Sequence, residues 1–137
     1  MTDEQQTIAR LIEALPYCAH LGIRAHGGDM GMLLELPFSP HLIGNQTIPA
    51  IHGGVIGSFL ETVAIAQVLW EGAVRPTPRP VNVTIDYLRT GRALTSFGRA
   101  EIVKQGRRVL NVHARMWQDD EAKPVAALQG HFLIASG

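Results

Sequence analysis

Sixteen residues from Val55 to Trp70 carry a single charged side chain, Glu61. A helix that is apolar on nearly all sides is a buried helix, so this run has to form the centre of the fold. A carboxylate in the middle of such a helix is costly unless something pairs with it or uses it. The run is preceded by a polar loop from Gln46 and a His52-Gly53-Gly54 hinge. It is broken by Ser58, Glu61, Thr62 and Gln67, and is shorter than the ~20 residues of a membrane span, so no membrane association is expected. The central helix is predicted over 52–71. Arg75-Pro-Thr-Pro-Arg-Pro80 cannot continue a helix and reads as a stiff connector.

Composition narrows the class. A chain of 137 residues fits one domain, 1–137, with room for a core. Twelve basic residues balance twelve acidic ones, without the basic excess of a nucleic-acid-binding protein. Cys18 is the sole cysteine, which excludes an internal disulfide framework. The acidic, polar start from Met1 to Gln6 is unlike a secretory signal, and a cytoplasmic protein is the simplest reading. Six scattered histidines show no metal-ligand spacing. No metal and no cofactor are expected.

Around the central helix the elements follow in order. Ile8, Leu11, Ile12 and Leu15 have the spacing of an amphipathic N-terminal helix over 1–16, capped by Thr2 or Asp3 and ended by Pro16. Leu21–His26 and Met32–Phe38 flank a Gly27–Gly31 turn, a hairpin over 21–38; its glycines lack the spacing of a phosphate loop. Ser39–Ile51 reads as loop, with Pro40, Gly44, Asn45 and Pro49. From Val81 the pattern becomes period two, and turns near Gly91, Gly106 and 118–123 divide 81–135 into four strands, read as an antiparallel meander. One buried helix against a curved antiparallel sheet is an α+β fold.

His52-Gly53-Gly54 followed by Glu61 resembles the hotdog-fold acyl-CoA thioesterases, of the phenylacetate-pathway and 4-hydroxybenzoyl-CoA type. Val83–Arg89, Gly106-Arg107-Arg108 and Pro124–Phe132 are similar to that family's later strands, so the likeness runs from about Leu21 to Ile134. The resemblance implies a sheet wrapped around the long helix, subunits paired through their sheets, often as a homotetramer, and hydrolysis of a thioester to a free acid and coenzyme A. It places Gln46 at the family's Gln or Asn, seven residues before the active glycine, and Glu61 at its acid, eight residues after. Some members carry Thr or Ser where this chain has Ile65; Ser58 and Thr62 are the nearby substitutes. Pro49 stands where members often have Gly, which stiffens the loop.

Chemistry gives these residues roles. Backbone N–H groups at a helix start stabilise an oxyanion through free donors and the helix dipole, and Gly53 and Gly54 leave room for close approach. The Gly53 N–H is the expected oxyanion donor, with the Gln46 amide orienting the carbonyl. Glu61 is nucleophile or general base. Ser58, Glu61, Thr62 and Ile65 share one helix face, and His52 orients the loop. Eight residues of helix span about 12 Å, while reacting groups lie ~3 Å from one carbonyl. If both groups are catalytic, Gly53 and Glu61 of one site come from different subunits, and a two-fold homodimer is required. Arg89, Arg92, Arg107 and Arg108 are candidates for the phosphates of the acyl-CoA. Phe59, Leu60, Trp70 and the Pro-rich connector are candidates to shape the acyl pocket. A hotdog enoyl-CoA hydratase or dehydratase, and a non-catalytic acyl-CoA-binding domain, are the alternatives.

Overall fold

The computed structural model describes residues 2–72 and 77–134. Helix α1 (Asp3–Glu13) begins with a capping box. Thr2 Oγ1 accepts from the Gln5 N–H at 3.1 Å, and Gln5 Oε1 accepts from the Thr2 N–H at 2.9 Å. It is shorter than the helix expected over 1–16, and Pro16 does more than end it. Proline at a first helical position gives up an N–H that has no helical acceptor, and here it opens α2 (Pro16–Leu21), closed by Gly22 at φ 73°.

The hairpin expected over 21–38 is β1 (Arg24–Gly28) and β2 (Gly31–Leu36), paired from Arg24↔Glu35 to Gly28↔Gly31. Its turn is the tighter Asp29–Met30. Gly27 lies within the strand, and a Cβ there would fall 2.2 Å from the Trp70 ring; packing, and not turning, requires this glycine. The segment read as loop holds a 3-10 turn (Pro40–Leu42) and a small antiparallel pair, β3 (Ile43–Asn45) with β4 (Ala50–Ile51).

Helix α3 (Gly53–Gly72) follows, within one residue of its expected bounds at each end. At 20 residues it is longer than the apolar run indicated, and its length and composition alone would suffice to cross a membrane. In this fold its apolar surface is packed inside: Phe59, Leu60, Val63, Ala64 and Val68 are buried. The connector expected at 75–80 lies partly outside the described residues. Its end, Arg79-Pro80, starts the next strand.

Strands β5 (Arg79–Tyr87), β6 (Ser96–Gln105), β7 (Val109–Trp117) and β8 (Ala126–Leu133) complete a six-stranded antiparallel sheet of order β1-β2-β6-β7-β8-β5. The four-stranded meander expected over 81–135 is therefore corrected. β6, β7 and β8 form a meander, but β5 pairs with β8 at the far edge, from Arg79↔Leu133 to Tyr87↔Ala126. Period-two alternation marks a strand without naming its neighbour. The link from Leu88 to Thr95 is long enough to cross from the edge to the middle of the sheet. The N–H groups of Leu88 and Arg89 bond Val125 O at 2.8 and 3.0 Å, and Gly91 O accepts from Ile51 at 2.8 Å. Buried Gln118 receives the Arg92 N–H at 3.1 Å and donates to Arg92 O at 2.8 Å.

The helix lies across β6, β2 and β7. Its close approach depends on Gly98 of β6, where a Cβ would meet Val63 at 2.6 Å and Phe59 at 2.9 Å. Near its other end, buried Gln67 accepts the Met32 N–H at 2.8 Å and donates to Glu71 at 2.7 Å, tying the helix to β2.

Candidate active site

The start of α3 is held by hydrogen bonds on every side. The His52 N–H bonds Leu42 O at 2.8 Å, and His52 O accepts from Val55 and Ile56 at 3.0 and 3.2 Å. The Gly54 N–H donates to His52 Nδ1 at 2.9 Å. His52 thus caps the helix, as Ser or Asp does elsewhere, and with Nδ1 an acceptor the proton of the neutral ring sits on Nε2. Gly44 packs on His52, within 3.0 Å of its Cα by an added Cβ. The Gly53 carbonyl accepts from Tyr87 Oη at 3.0 Å. Among the described residues no acceptor engages the Gly53 N–H. One free donor at a fully tethered helix start is the geometry an oxyanion requires.

Glu61 stands two turns on. It is half-buried, not fully buried, so the large cost of an isolated interior carboxylate does not arise within one chain. Among the described residues it meets no cation and no hydrogen-bond donor. Ser58, Glu61, Ile65 and Leu69 form a half-exposed stripe, at spacings of three, four and four, on a helix that is otherwise buried from Ile56 to Leu69. Thr62 does not join it: its side chain is buried and its hydroxyl donates to Ser58 O at 2.8 Å.

Gln46 lies in the turn between β3 and β4, exposed, at the tip of the arm that leads into Gly53. The four arginines divide between two ends of the sheet. Arg89 and Arg92 belong to the crossover packed against β4 and the helix start; Arg89 donates to Pro124 O at 2.7 Å and Arg92 pairs with Asp119. Arg107 and Arg108 are exposed in the β6–β7 turn, at the end where α3 finishes. Of the three residues named for the acyl pocket, Phe59 and Leu60 are core residues with no exposure within the chain, and the half-buried Trp70 covers Gly27. Apolar character alone does not distinguish a pocket wall from a core. The Cys18 thiol is buried and pushed up to about 11, by burial and then by Glu13, so it supplies no thiolate. Among the described residues no cluster of His, Cys, Asp or Glu is arranged to hold a metal.

Tyr87 and Leu42 were not singled out in the sequence. Tyr87 stands at the end of an alternating strand, and its inward position, third after Val83 and Ile85, was the available signal. Nothing local marks Leu42, whose contribution is a carbonyl.

Comparison with known proteins identifies the family and the fold. The sequence model of a family described as the acyl-CoA thioesterase N-terminal domain matches residues 43–133. The chain belongs to this acyl-CoA thioesterase family, whose general reaction is acyl-CoA thioester hydrolysis. No curated protein matches the sequence. A solved protein from Chromobacterium violaceum is 38% identical, over 97% of this chain and 93% of its own, with a TM-score of 0.77. The PaaI protein of the Escherichia coli phenylacetic acid degradation operon is 21% identical over 98% and 95%, with a TM-score of 0.81. A Shewanella oneidensis protein related to the thioesterase superfamily is 22% identical over 98% and 100%, with a TM-score of 0.79. The last two likenesses identify the fold, the hotdog fold of thioesterases.

Proposed function

We propose that the protein hydrolyses an acyl-CoA to the free acid and coenzyme A in sites shared between two subunits. The Gly53 N–H receives the developing oxyanion, and Glu61 of the partner subunit acts as nucleophile or as general base on water. Gln46 orients the thioester carbonyl, and Ser58 and Ile65 flank the carboxylate. One observation carries the reading: among the described residues neither the Gly53 N–H nor the Glu61 carboxylate has a partner, and both lie on one continuous helix. Their separation, about 12 Å by the rise of an α-helix, is too great for a single carbonyl, so two copies of the helix are needed.

The edge strand β5 supports the pairing. Among the described residues its outer backbone groups have no neighbouring strand, and Val81 and Tyr87 are 60% and 56% exposed. An open apolar edge is a template for another strand, and a second β5 meeting it about a two-fold axis yields two equivalent sites. In the same reading two dimers join as a tetramer in the cytoplasm, with no membrane or nucleic-acid partner. Arg107 and Arg108 are the freer pair for coenzyme phosphates, since Arg92 and Arg89 already have partners.

The test is release of free thiol from short, aromatic and long-chain acyl-CoAs. Phenylacetyl-CoA is the first to try, given the E. coli relative's operon. Wild type releases thiol, and Glu61→Gln and Glu61→Ala lower kcat by at least about 100-fold. Full activity in Glu61→Gln contradicts the assigned role. No release from any acyl-CoA by wild type contradicts the hydrolase reading and favours a binding domain, for which Ile65 in place of a hydroxyl residue is the specific observation.

A further inference from the structure

We infer that Tyr87 is a positioning residue for thioester hydrolysis: by pinning the Gly53–Gly54 peptide it fixes the backbone at the Gly53 Cα, beside the His52–Gly53 peptide whose free N–H points at the oxyanion. The inference rests on the role proposed above for Gly53. Tyr87 ends β5 with its side chain toward α3, in register with Ala126. Its ring lies over two glycines one helical turn apart. A Cβ on Gly53 would sit 3.8 Å from its Cε1, and one on Gly57 would sit 3.5 Å from its Oη. Its hydroxyl donates 3.0 Å to the Gly53 carbonyl. That carbonyl already lies in the helical ladder, so the tyrosine occupies its second lone pair.

A first helical residue without a side chain leaves the φ and ψ between its two flanking peptides weakly restrained, and helix ends fray. At Gly53 hydrogen bonds supply the restraint. The donor's own peptide is held through His52 O, which accepts from Val55 and Ile56, and three tethers fix the peptides on either side: His52 N–H to Leu42 O, Gly54 N–H to His52 Nδ1, and Tyr87 O–H to Gly53 O. The first two originate in the helix and the loop before it. Tyr87 alone comes from the strand at the open edge of the sheet. It therefore couples the oxyanion donor to the strand on which subunit pairing is proposed, and a catalytic N–H is set in place by the same element that brings the second carboxylate.

The hydroxyl is exposed, so its loss leaves no buried polar group unpaired and the fold tolerates it. Tyr87→Phe removes that oxygen alone, and Ile85→Val trims the same inner face of β5 without touching a hydrogen bond. Both are compared with wild type for kcat and KM in thiol release, for thermal midpoint, and for the Gly53 amide resonance in 15N-labelled protein. Removal of an oxyanion donor costs roughly 10²–10³-fold in kcat, and loosening one of several tethers should cost about tenfold. The expected result for Tyr87→Phe is a kcat lowered about tenfold, a KM within about twofold, a displaced and faster-exchanging Gly53 amide, and an unchanged thermal midpoint. Ile85→Val keeps wild-type kcat. An unchanged kcat in Tyr87→Phe overturns the inference. So does an equal loss in Ile85→Val, or a loss that appears in KM and thermal midpoint together. A wild type that releases no thiol sinks the hydrolase reading itself; an active wild type with an unaffected Tyr87→Phe sinks this inference alone.

Discussion

Replacing Gly53 by proline isolates the contribution of one N–H. Gly53 is the first residue of α3, where proline is tolerated because the lost donor has no helical acceptor. Its φ is not positive, and a Cβ there has only ordinary contacts with Tyr87. Gly53→Pro should therefore fold with a thermal midpoint within a few degrees of wild type, while kcat falls about 10²–10³-fold. Circular dichroism and thiol release measure the two quantities. Retained kcat in the folded variant would remove the Gly53 N–H from the mechanism. Gly53 and Glu61 were legible in the sequence because each breaks a local rule, a Gly-Gly pair opening a helix and one charge in an apolar run. The His52 cap and the Tyr87 tether were not legible. Both depend on where a ring nitrogen or hydroxyl ends up after folding, and Tyr87 reaches Gly53 across 34 positions of sequence.

At the scale of elements, the contact between helix and sheet sets the geometry of the stripe that carries Glu61. Gly98 is its narrowest point. Gly98→Ala should push Val63 and Phe59 aside and destabilise the fold by about 1–3 kcal/mol, the ordinary cost of overpacking, read from urea denaturation. Equal or greater stability would mean that the helix has slack against β6. The long helix could be read from its mostly apolar run and each later strand from period-two alternation, since both are properties of the chain itself. Strand order could not. β5 and β8 pair between positions far apart in the sequence, from Tyr87↔Ala126 to Arg79↔Leu133, and the turn-rich Leu88–Thr95 segment is a crossover whose restraints come from Val125, Ile51 and Gln118. Pro16 shows a related limit: one residue type serves as a stop for α1 and a start for α2.

At the scale of the molecule, the proposed mechanism has one chain hold two half-sites and complete neither. The oxyanion donor sits at the start of α3 and the carboxylate on its half-exposed stripe, with an open strand edge nearby at β5. If both groups are catalytic, the same helix that forms the core requires catalysis to be shared. Subunit complementation tests this most directly. Gly53→Pro and Glu61→Gln protomers, each inactive alone, are mixed, allowed to exchange, and assayed for thiol release. If each site takes Gly53 from one chain and Glu61 from the other, a mixed dimer keeps one intact site of its two. Random exchange then restores about a quarter of the wild-type rate. A mixture that exchanges subunits and yet stays as inactive as its parents would contradict the shared site.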